Sequence, residues 1–274
     1  MSANAATDDQ IGDPPRPLEL DVDRLGGLRT FNLIVGLVHL VQAGLLFALS
    51  NDFALPVTRS FLNAPPGTAP ERAQWFTVRL GPAVALFLLL AAIDHLLMAA
   101  PGVNRWYNGM LARERNDARW IEYSVSASLM IVLIAMVSGV DDLTALVAIA
   151  GVNACMLFFG LLMEHGSTPS AGDVNWIPFI FGCFAGAVPW VLIVLQIASS
   201  EDLATDAEGV PTFVYAIILS LFVLFNCFAV NMVLQYKRVG RWADSLYAEK
   251  AYIVLSLVAK SALAWQVFAN ILID

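Results

Sequence analysis

The sequence predicts an all-α membrane protein, a bundle of seven transmembrane helices that run up and down across a bilayer. Of the 274 residues, 58% are hydrophobic and only 14% are charged, a composition too apolar for a soluble domain of this length. Seven apolar stretches each have about the twenty residues that a helix needs to cross the hydrocarbon. Most connections between them are short, which favours neighbouring antiparallel helices. The stretches are residues 29–50, 78–100, 119–139, 143–163, 174–199, 210–236 and 247–273.

Two units are predicted along the chain: a polar amino-terminal tail at residues 1–27 and a single transmembrane domain at residues 28–274. The tail carries acidic residues such as Asp8, Asp9 and Asp13, and it lacks the apolar core of a signal peptide. The first apolar stretch is therefore expected to serve as the insertion signal.

The basic residues predict how the chain is oriented in the cell membrane. The side that holds the tail has eleven Lys and Arg residues, whereas the opposite side has only Arg59, Arg72 and Arg79. Basic residues favour the cytoplasmic side, so the amino terminus is predicted inside and the carboxyl terminus outside. The eleven are Arg16, Arg24, Arg29, Arg105, Arg113, Arg115, Arg119, Lys237, Arg238, Arg241 and Lys250.

Charge and cysteine content exclude other classes of partner and site. The net charge of −8 argues against nucleic acid as a partner. Cys155, Cys183 and Cys227 all lie within apolar stretches, where a thiol usually packs as a small hydrophobic group. Neither a disulfide framework nor a metal cluster is predicted.

The first outside connection, residues 51–75, is long enough to have structure of its own. It contains Pro56, Pro65, Pro66, Gly67 and Pro70, which are residues typical of turns. Its segment 53–62 alternates in polarity as a strand does. A small β-hairpin over the mouth of the bundle is therefore predicted.

Lys260 is the one cation placed near the middle of an apolar stretch. A charged amine at that depth costs roughly 3 kcal/mol to insert, so such residues are usually paired or chemically modified. Glu122 is the only carboxylate in the third stretch, and the two residues lie about 13 Å and about 9 Å below the same membrane surface. A buried ion pair is predicted, and a desolvated lysine is also suited to Schiff-base chemistry with a carbonyl.

Further polar side chains surround this pair in the predicted bundle. Ser126 and Ser256 lie four residues from Glu122 and Lys260, so each shares a helix face with its charge. His39 and His95, from neighbouring helices, are either core histidines with hydrogen bonds or a site that accepts a proton. Two alternatives also exist for Arg119: an arginine that snorkels to the interface, or one that orders the cytoplasmic side of a pocket. Glu164 is expected to be solvated at a helix end.

Aromatic, methionine and glycine residues within the stretches allow two interpretations. Most such residues in a bilayer pack or anchor a helix, and small residues permit close helix approach or leave room for a flat polyene. The pattern alone does not distinguish a pocket from a packed core. The residues concerned include Tyr123, Met156, Gly160, Phe179, Trp190, Phe225 and Phe228.

At the level of local segments the chain resembles the heliorhodopsins, a family of retinal-binding seven-helix photoreceptors. The resemblance covers nearly the whole chain after about Leu28. Within the apolar stretches it is carried by residues 119–124 (RWIEYS), 151–154 (GVNA), 181–190 (which begins with FGC and ends with PW) and 251–265 (AYIVLSLVAKSALAW). In the first outside connection it is carried by residues 51–56 and 65–67. The resemblance implies a bundle of rhodopsin type with a cytoplasmic amino terminus.

The resemblance also implies a cofactor and a site. Lys260 would carry all-trans retinal as a protonated Schiff base, Glu122 would be its counterion, and Ser256 would be a hydrogen-bonding neighbour. His39 and His95 would belong to a cytoplasmic polar cavity that takes up the proton during a slow photocycle. One departure is Ile180, where the family pattern leads us to expect an aromatic pocket wall. Residues matching the family's pocket positions are Tyr123, Met156, Gly160, Trp190, Phe225 and Phe228.

Three functions remain open at this point. The family pattern favours a light sensor, neither pump nor enzyme, that is a homodimer in membrane lipid and acts on an unidentified cytoplasmic or membrane signalling partner. A light-driven or proton-coupled ion transporter is the alternative. The third possibility is that Lys260 and Glu122 form a purely structural ion pair between two helices.

Overall fold

Seven long apolar helices form the bundle in the part of the chain that the structure describes, as the sequence predicts. The computed structural model describes residues 17–203 and 210–272, so most of the predicted tail lies outside the described residues. An eighth, shorter helix, α3, joins α2 to α4. The helices are α1 Val22–Leu49, α2 Leu80–Ala99, α3 Pro101–Leu111, α4 Asp117–Val137, α5 Leu143–His165, α6 Ile177–Leu203, α7 Thr212–Tyr236 and α8 Ser245–Val267, and α8 continues as a π-helical turn at Phe268–Leu272.

Side-chain caps decide where several helices begin. Asp21 accepts a hydrogen bond from the Asp23 backbone, so α1 begins at Val22, before the first predicted apolar residue. Asn116, Asp142 and Asp244 cap α4, α5 and α8 in the same way. Hydropathy alone does not locate these caps, so the predicted spans that correspond to α1, α4 and α8 start two or more residues late.

The predicted hairpin is present and packs at one end of the bundle, called here the hairpin end. Strands β1 (Ala54–Phe61) and β2 (Glu71–Arg79) pair antiparallel, with a bulge between Val57 and Thr58. The predicted segment 53–62 is therefore only the first strand. The Thr58 amide donates to the Asp141 carbonyl at 2.8 Å, and Arg72 pairs with the Asp141 carboxylate. These contacts fasten the hairpin to the start of α5.

The helix α3 lies at the opposite end of the bundle, called here the α3 end, and was not predicted. Its first residue is Pro101, whose fixed φ suits the first turn of a helix. One face of α3 is buried, through Asn104, Tyr107 and Leu111. Tyr107 and Leu111 belong to an apolar cluster with residues of α1 and α8, including Leu28. The connection is thus a structured part of the bundle.

The core differs in chemistry between the two ends. Towards the hairpin end it is an apolar cluster that includes the fully buried Leu46, Leu88 and Ile134. Towards the α3 end it contains buried polar and charged side chains. These include Asn32, His39, His95, Asn116, Arg119, Glu164 and Glu249.

Candidate functional site

Lys260 and Glu122 form a buried ion pair between α8 and α4. Lys260 Nζ donates to Glu122 Oε1 at 2.7 Å, and the two side chains are 5% and 10% exposed. The amine also lies 5.1 Å from the ring centroid of Tyr123 and 5.7 Å from that of Phe87, where an aromatic face attracts a cation. The pairing predicted from depth is therefore present in the structure. Removal of either partner would leave an uncompensated buried charge.

A mainly apolar cavity of about 330 Å³ extends from Lys260 between α4, α5, α6 and α7. Its volume falls in the range of small-molecule sites, roughly 300–1,000 Å³. Tyr123 meets Phe228 edge to face at 5.6 Å, and Trp190 meets Phe225 at 5.5 Å, which fixes the ring orientations along the wall. The predicted pocket residues that line it are Tyr123, Met156, Gly160, Trp190, Phe225 and Phe228.

Two glycines let the cavity walls approach closely. A Cβ atom on Gly160 would overlap the Trp120 ring, and one on Gly186 would lie 2.5 Å from the Met156 sulfur. Trp120 and Met156 therefore rest directly on backbone. The resulting shape, narrow, aromatic and ended by a paired amine, fits an elongated apolar carbonyl compound such as retinal.

The part of the cavity wall formed by α6, the fifth membrane-spanning helix, corrects the expectation for Ile180. Ile180, where an aromatic residue was expected, points away from the cavity and is 51% exposed on the outer surface of α6. Its neighbour Phe179 lines the cavity instead. The aromatic wall is thus provided one position earlier in the sequence.

The hydroxyls of Ser126 and Ser256 lie close to the ion pair in sequence and are fully buried. Neither oxygen has a hydrogen-bond partner among residues 17–203 and 210–272. Buried hydroxyls are normally satisfied by protein or by ordered water. These two are therefore available to a water molecule or to a polar group held at Lys260.

His39 and His95 are stacked side by side between α1 and α2. Their ring centroids are 5.9 Å apart with an interplanar angle of 10°, and both rings lie within electrostatic range of Lys260. His95 Nδ1 lies 2.8 Å from Asn32 Oδ1. Within the described chain, both ring nitrogens of His39 lack a hydrogen-bond partner. The pair is a buried polar group that can accept a proton.

Arg119 is the centre of a second charged cluster at the α3 end. Its guanidinium pairs with Glu249 at 2.5 Å and with Glu164, and it lies 3.9 Å from the Tyr252 ring centroid. The Tyr107 hydroxyl and the Asn116 side-chain amide donate to Glu249 at 2.9 and 2.8 Å. We call Arg119, Glu164 and Glu249, with these two donors, the arginine cluster.

The arginine cluster distinguishes between the two alternatives for Arg119 and corrects the prediction for Glu164. Arg119 is 4% exposed and so does not snorkel to the interface. Glu164 is 2% exposed, whereas solvation at a helix end was expected. Sequence reasoning did not single out Glu249 or Tyr107. Glu249 carries a usable signal, since it is an acid at the start of an apolar stretch, at the membrane surface near Arg119. Tyr107 carries none.

The fold and the site define the chain as a rhodopsin-type membrane protein, with seven helices around a lysine that ends an aromatic cavity. The chain belongs to the heliorhodopsin family, whose family model matches residues 28–272. It is accordingly a multi-pass membrane protein that responds to light through a retinal chromophore.

Solved structures of other rhodopsins share the fold at low sequence identity. A light-driven proton pump from Leptosphaeria maculans is 16% identical, with a TM-score of 0.63 over 93% of this chain and 98% of that one. A cyanorhodopsin from Tolypothrix is 13% identical, with a TM-score of 0.62 over 92% and 96% of the two chains. The transmembrane domain and linker of a rhodopsin phosphodiesterase from Salpingoeca rosetta is 14% identical, with a TM-score of 0.60 over 90% and 80%. No curated protein has a significant match to the sequence.

Proposed function

We propose that this heliorhodopsin is a light sensor that holds all-trans retinal on Lys260 as a protonated Schiff base. The observation that carries the proposal is the 2.7 Å contact between Lys260 Nζ and Glu122 Oε1 at the end of the aromatic cavity. A cationic nitrogen at this depth needs a counter-charge, and Glu122 supplies it. When bound, retinal supplies the absorption of visible light and a change of shape.

The side chains around the Lys260 nitrogen have different proposed roles. Glu122 stabilises the positive charge on the Lys260 nitrogen, because opposite charges attract strongly where water is excluded. Ser126 and Ser256 provide hydroxyls close to the two charges that can reorient without moving a helix. Tyr123, Met156, Trp190, Phe225 and Phe228 enclose the apolar part of the ligand.

The histidine pair is the proposed acceptor of the proton that leaves the Lys260 nitrogen. A neutral imidazole has a lone pair that can take up a proton, and His95, with His39 stacked against it, is hydrogen-bonded to Asn32, which lies next to Tyr107 of the arginine cluster. The proton would therefore move towards the α3 end. A slow photocycle is expected, since the proton must return from an enclosed cavity.

Sensing is favoured over transport by the distribution of charge. In the described chain, no Asp, Glu, His, Lys or Arg lies in the core between Lys260 and the hairpin end, where the packing is apolar. A pump needs groups that exchange protons on both sides of its central site. The alternative, a light-driven or proton-coupled transporter, would have to move its ion through that apolar layer.

The distribution of basic residues supports a proposal for the setting of the sensor. We place the protein in the cell membrane, with the amino terminus and the α3 end in the cytoplasm and the carboxyl terminus outside, because basic residues concentrate at that end. We expect a homodimer in membrane lipid that signals to a cytoplasmic or membrane partner. No catalytic role and no nucleic-acid partner are proposed.

The test is reconstitution of the purified protein with all-trans retinal. We expect a visible absorption band, and borohydride reduction should add the mass of the chromophore to the peptide that contains Lys260. Lys260→Ala should abolish both. Lys250→Ala, at an exposed lysine of the same helix, is the matched control and should change neither. Colourless wild-type protein, or covalent retinal on Lys260→Ala, would show that the proposal is wrong.

A further inference from the structure

The buried Asn32 side chain joins the histidine pair to the arginine cluster. Asn32 is 1% exposed on α1, with Oδ1 2.8 Å from His95 Nδ1 and Nδ2 3.1 Å from the Leu28 carbonyl oxygen. The Asn32 amide also lies next to the Tyr107 hydroxyl. Tyr107 in turn donates to Glu249 at 2.9 Å.

The contacts of Asn32 determine which way its amide points. The Leu28 carbonyl can only accept a hydrogen bond, so the atom of Asn32 that faces it must be the NH₂ group. The oxygen of the amide therefore faces His95. Because that oxygen can only accept, His95 Nδ1 must carry a proton.

This orientation fixes the reactive atom of His95. A neutral imidazole carries one N–H, so protonation of Nδ1 leaves the lone pair on Nε2. Asn32 is the one hydrogen-bond partner of His95 within the part of the chain that the structure describes. Nε2 is consequently the atom that is free to take up a proton.

A run of donors continues from Asn32 towards the α3 end. Tyr107 is 1% exposed, and its buried hydroxyl has a carboxylate acceptor. Burial and the negative charge of Glu249 raise the pKa of Tyr107 well above its ordinary value, so Tyr107 keeps its proton and remains a donor. Hydrogen bonds therefore join His95 to Asn32 and Tyr107 to Glu249, and the Asn32 amide lies next to the Tyr107 hydroxyl between them.

We propose that Asn32 is a positioning residue that holds His95 in the tautomer with Nε2 as its proton-accepting atom and, through Tyr107, links that histidine to Glu249. The proposal rests on the proposed function for the source of the proton, which leaves the Lys260 nitrogen and stays on His95 Nε2. Asn32 and Tyr107 keep their own protons throughout. No bond other than N–H is made or broken.

The link predicts how proton uptake by His95 changes the hydrogen bonds of the arginine cluster. A protonated His95 donates a charge-assisted hydrogen bond to Asn32, which polarises the amide and makes its NH₂ group interact more strongly with the Tyr107 hydroxyl. The Tyr107 bond to Glu249 then strengthens in turn. The charged groups that act on this path are His39 and Lys260 at the histidine, Arg119 and Glu164 at Glu249, and Asp94, which directly precedes His95 and interacts with both Lys260 and Glu249.

The first experiment is nitrogen-15 NMR of the full-length protein in the dark, with His95 assigned by its loss in His95→Gln. We expect the proton on Nδ1 in the wild type. Asn32→Leu removes the acceptor and should shift the tautomer away from the Nδ1–H form. Asn153→Leu replaces another buried asparagine, which bonds to Ser128 on α4, and should leave the His95 signals unchanged.

The outcomes separate this inference from the light-sensing proposal. A proton on Nε2 in the wild type overturns the inference even if Asn32→Leu does not fold. Unchanged His95 signals in a folded Asn32→Leu protein do the same. Because the dark spectrum requires no photocycle, a colourless protein would refute the proposed function and leave the tautomer measurement valid.

The second experiment follows the carboxylate of Glu249 by light-minus-dark infrared spectroscopy, with its band identified by loss in Glu249→Gln. We expect a band shift in the wild type that disappears in Tyr107→Phe, which keeps the packed ring and removes only the hydroxyl. A wild-type spectrum without a Glu249 band, or the same shift in Tyr107→Phe, would contradict the link.

Discussion

Lys260 and Glu122 are enclosed by aromatic rings, so the energy of each charge depends on the other. With retinal bound, Glu122→Gln should move the absorption maximum to longer wavelength, because loss of the counter-charge favours the delocalised excited state. The visible spectrum of the reconstituted protein measures the shift. Asp117→Asn, which removes a partly exposed carboxylate of the same helix, should leave the colour unchanged. An unshifted or shorter wavelength in Glu122→Gln would argue against Glu122 as the counterion.

Arg119 is the cation that pairs with two buried carboxylates, so its removal should lower the stability of the fold strongly. Arg119→Leu leaves Glu164 and Glu249 without their partner, and we expect the free energy of unfolding to fall by about 3–5 kcal/mol. Thermal unfolding in detergent, followed by circular dichroism, measures this loss. Arg24→Leu is the control: Arg24 pairs with Asp244 on the surface, where a bridge contributes about 1 kcal/mol or less. Equal losses in the two variants would mean that the arginine cluster does not stabilise the fold.

At the scale of the helix, α5 offers a matched pair of glycines. A Cβ on Gly160 would overlap the Trp120 ring, whereas a Cβ on Gly151 would meet nothing within 4 Å. Gly160→Ala should destabilise the protein by roughly 1–3 kcal/mol through overpacking, and it should narrow the cavity. Gly151→Ala should be neutral or stabilising by up to about 1 kcal/mol, because alanine favours the helix. Chemical unfolding and retinal uptake measure the two effects, and a Gly160→Ala protein that matches Gly151→Ala in both would contradict the packing.

The elements differ in how far the sequence could predict them. The seven spans follow from length and hydropathy, and the Lys260–Glu122 pair follows from depth, because both quantities scale with residue number along a helix. Depth does not give the rotation of a helix or its neighbours. For that reason the burial of Glu164 and the contacts of Glu249 with Arg119 could not be predicted. The helix α3 escaped prediction because it is short and amphipathic.

Across the whole molecule, ionisable groups occupy only one side of Lys260 in the described core. Illumination of cells that make the protein should therefore leave the external pH unchanged. The light-driven proton pump from Leptosphaeria maculans, expressed in the same cells, is the positive control. A sustained pH change that a protonophore abolishes would identify transport and refute the sensor.

The apolar packing at the hairpin end also bears on how the protein responds to membrane voltage. When one elementary charge moves across the whole bilayer, a membrane potential of 100 mV changes its energy by about 2.3 kcal/mol. Charge that moves only between Lys260 and the histidines spans part of that thickness and so gains or loses a fraction of this energy. The light response should consequently be nearly the same in an energised cell and in a depolarised one, which suits a detector that must report illumination whatever the metabolic state of its host.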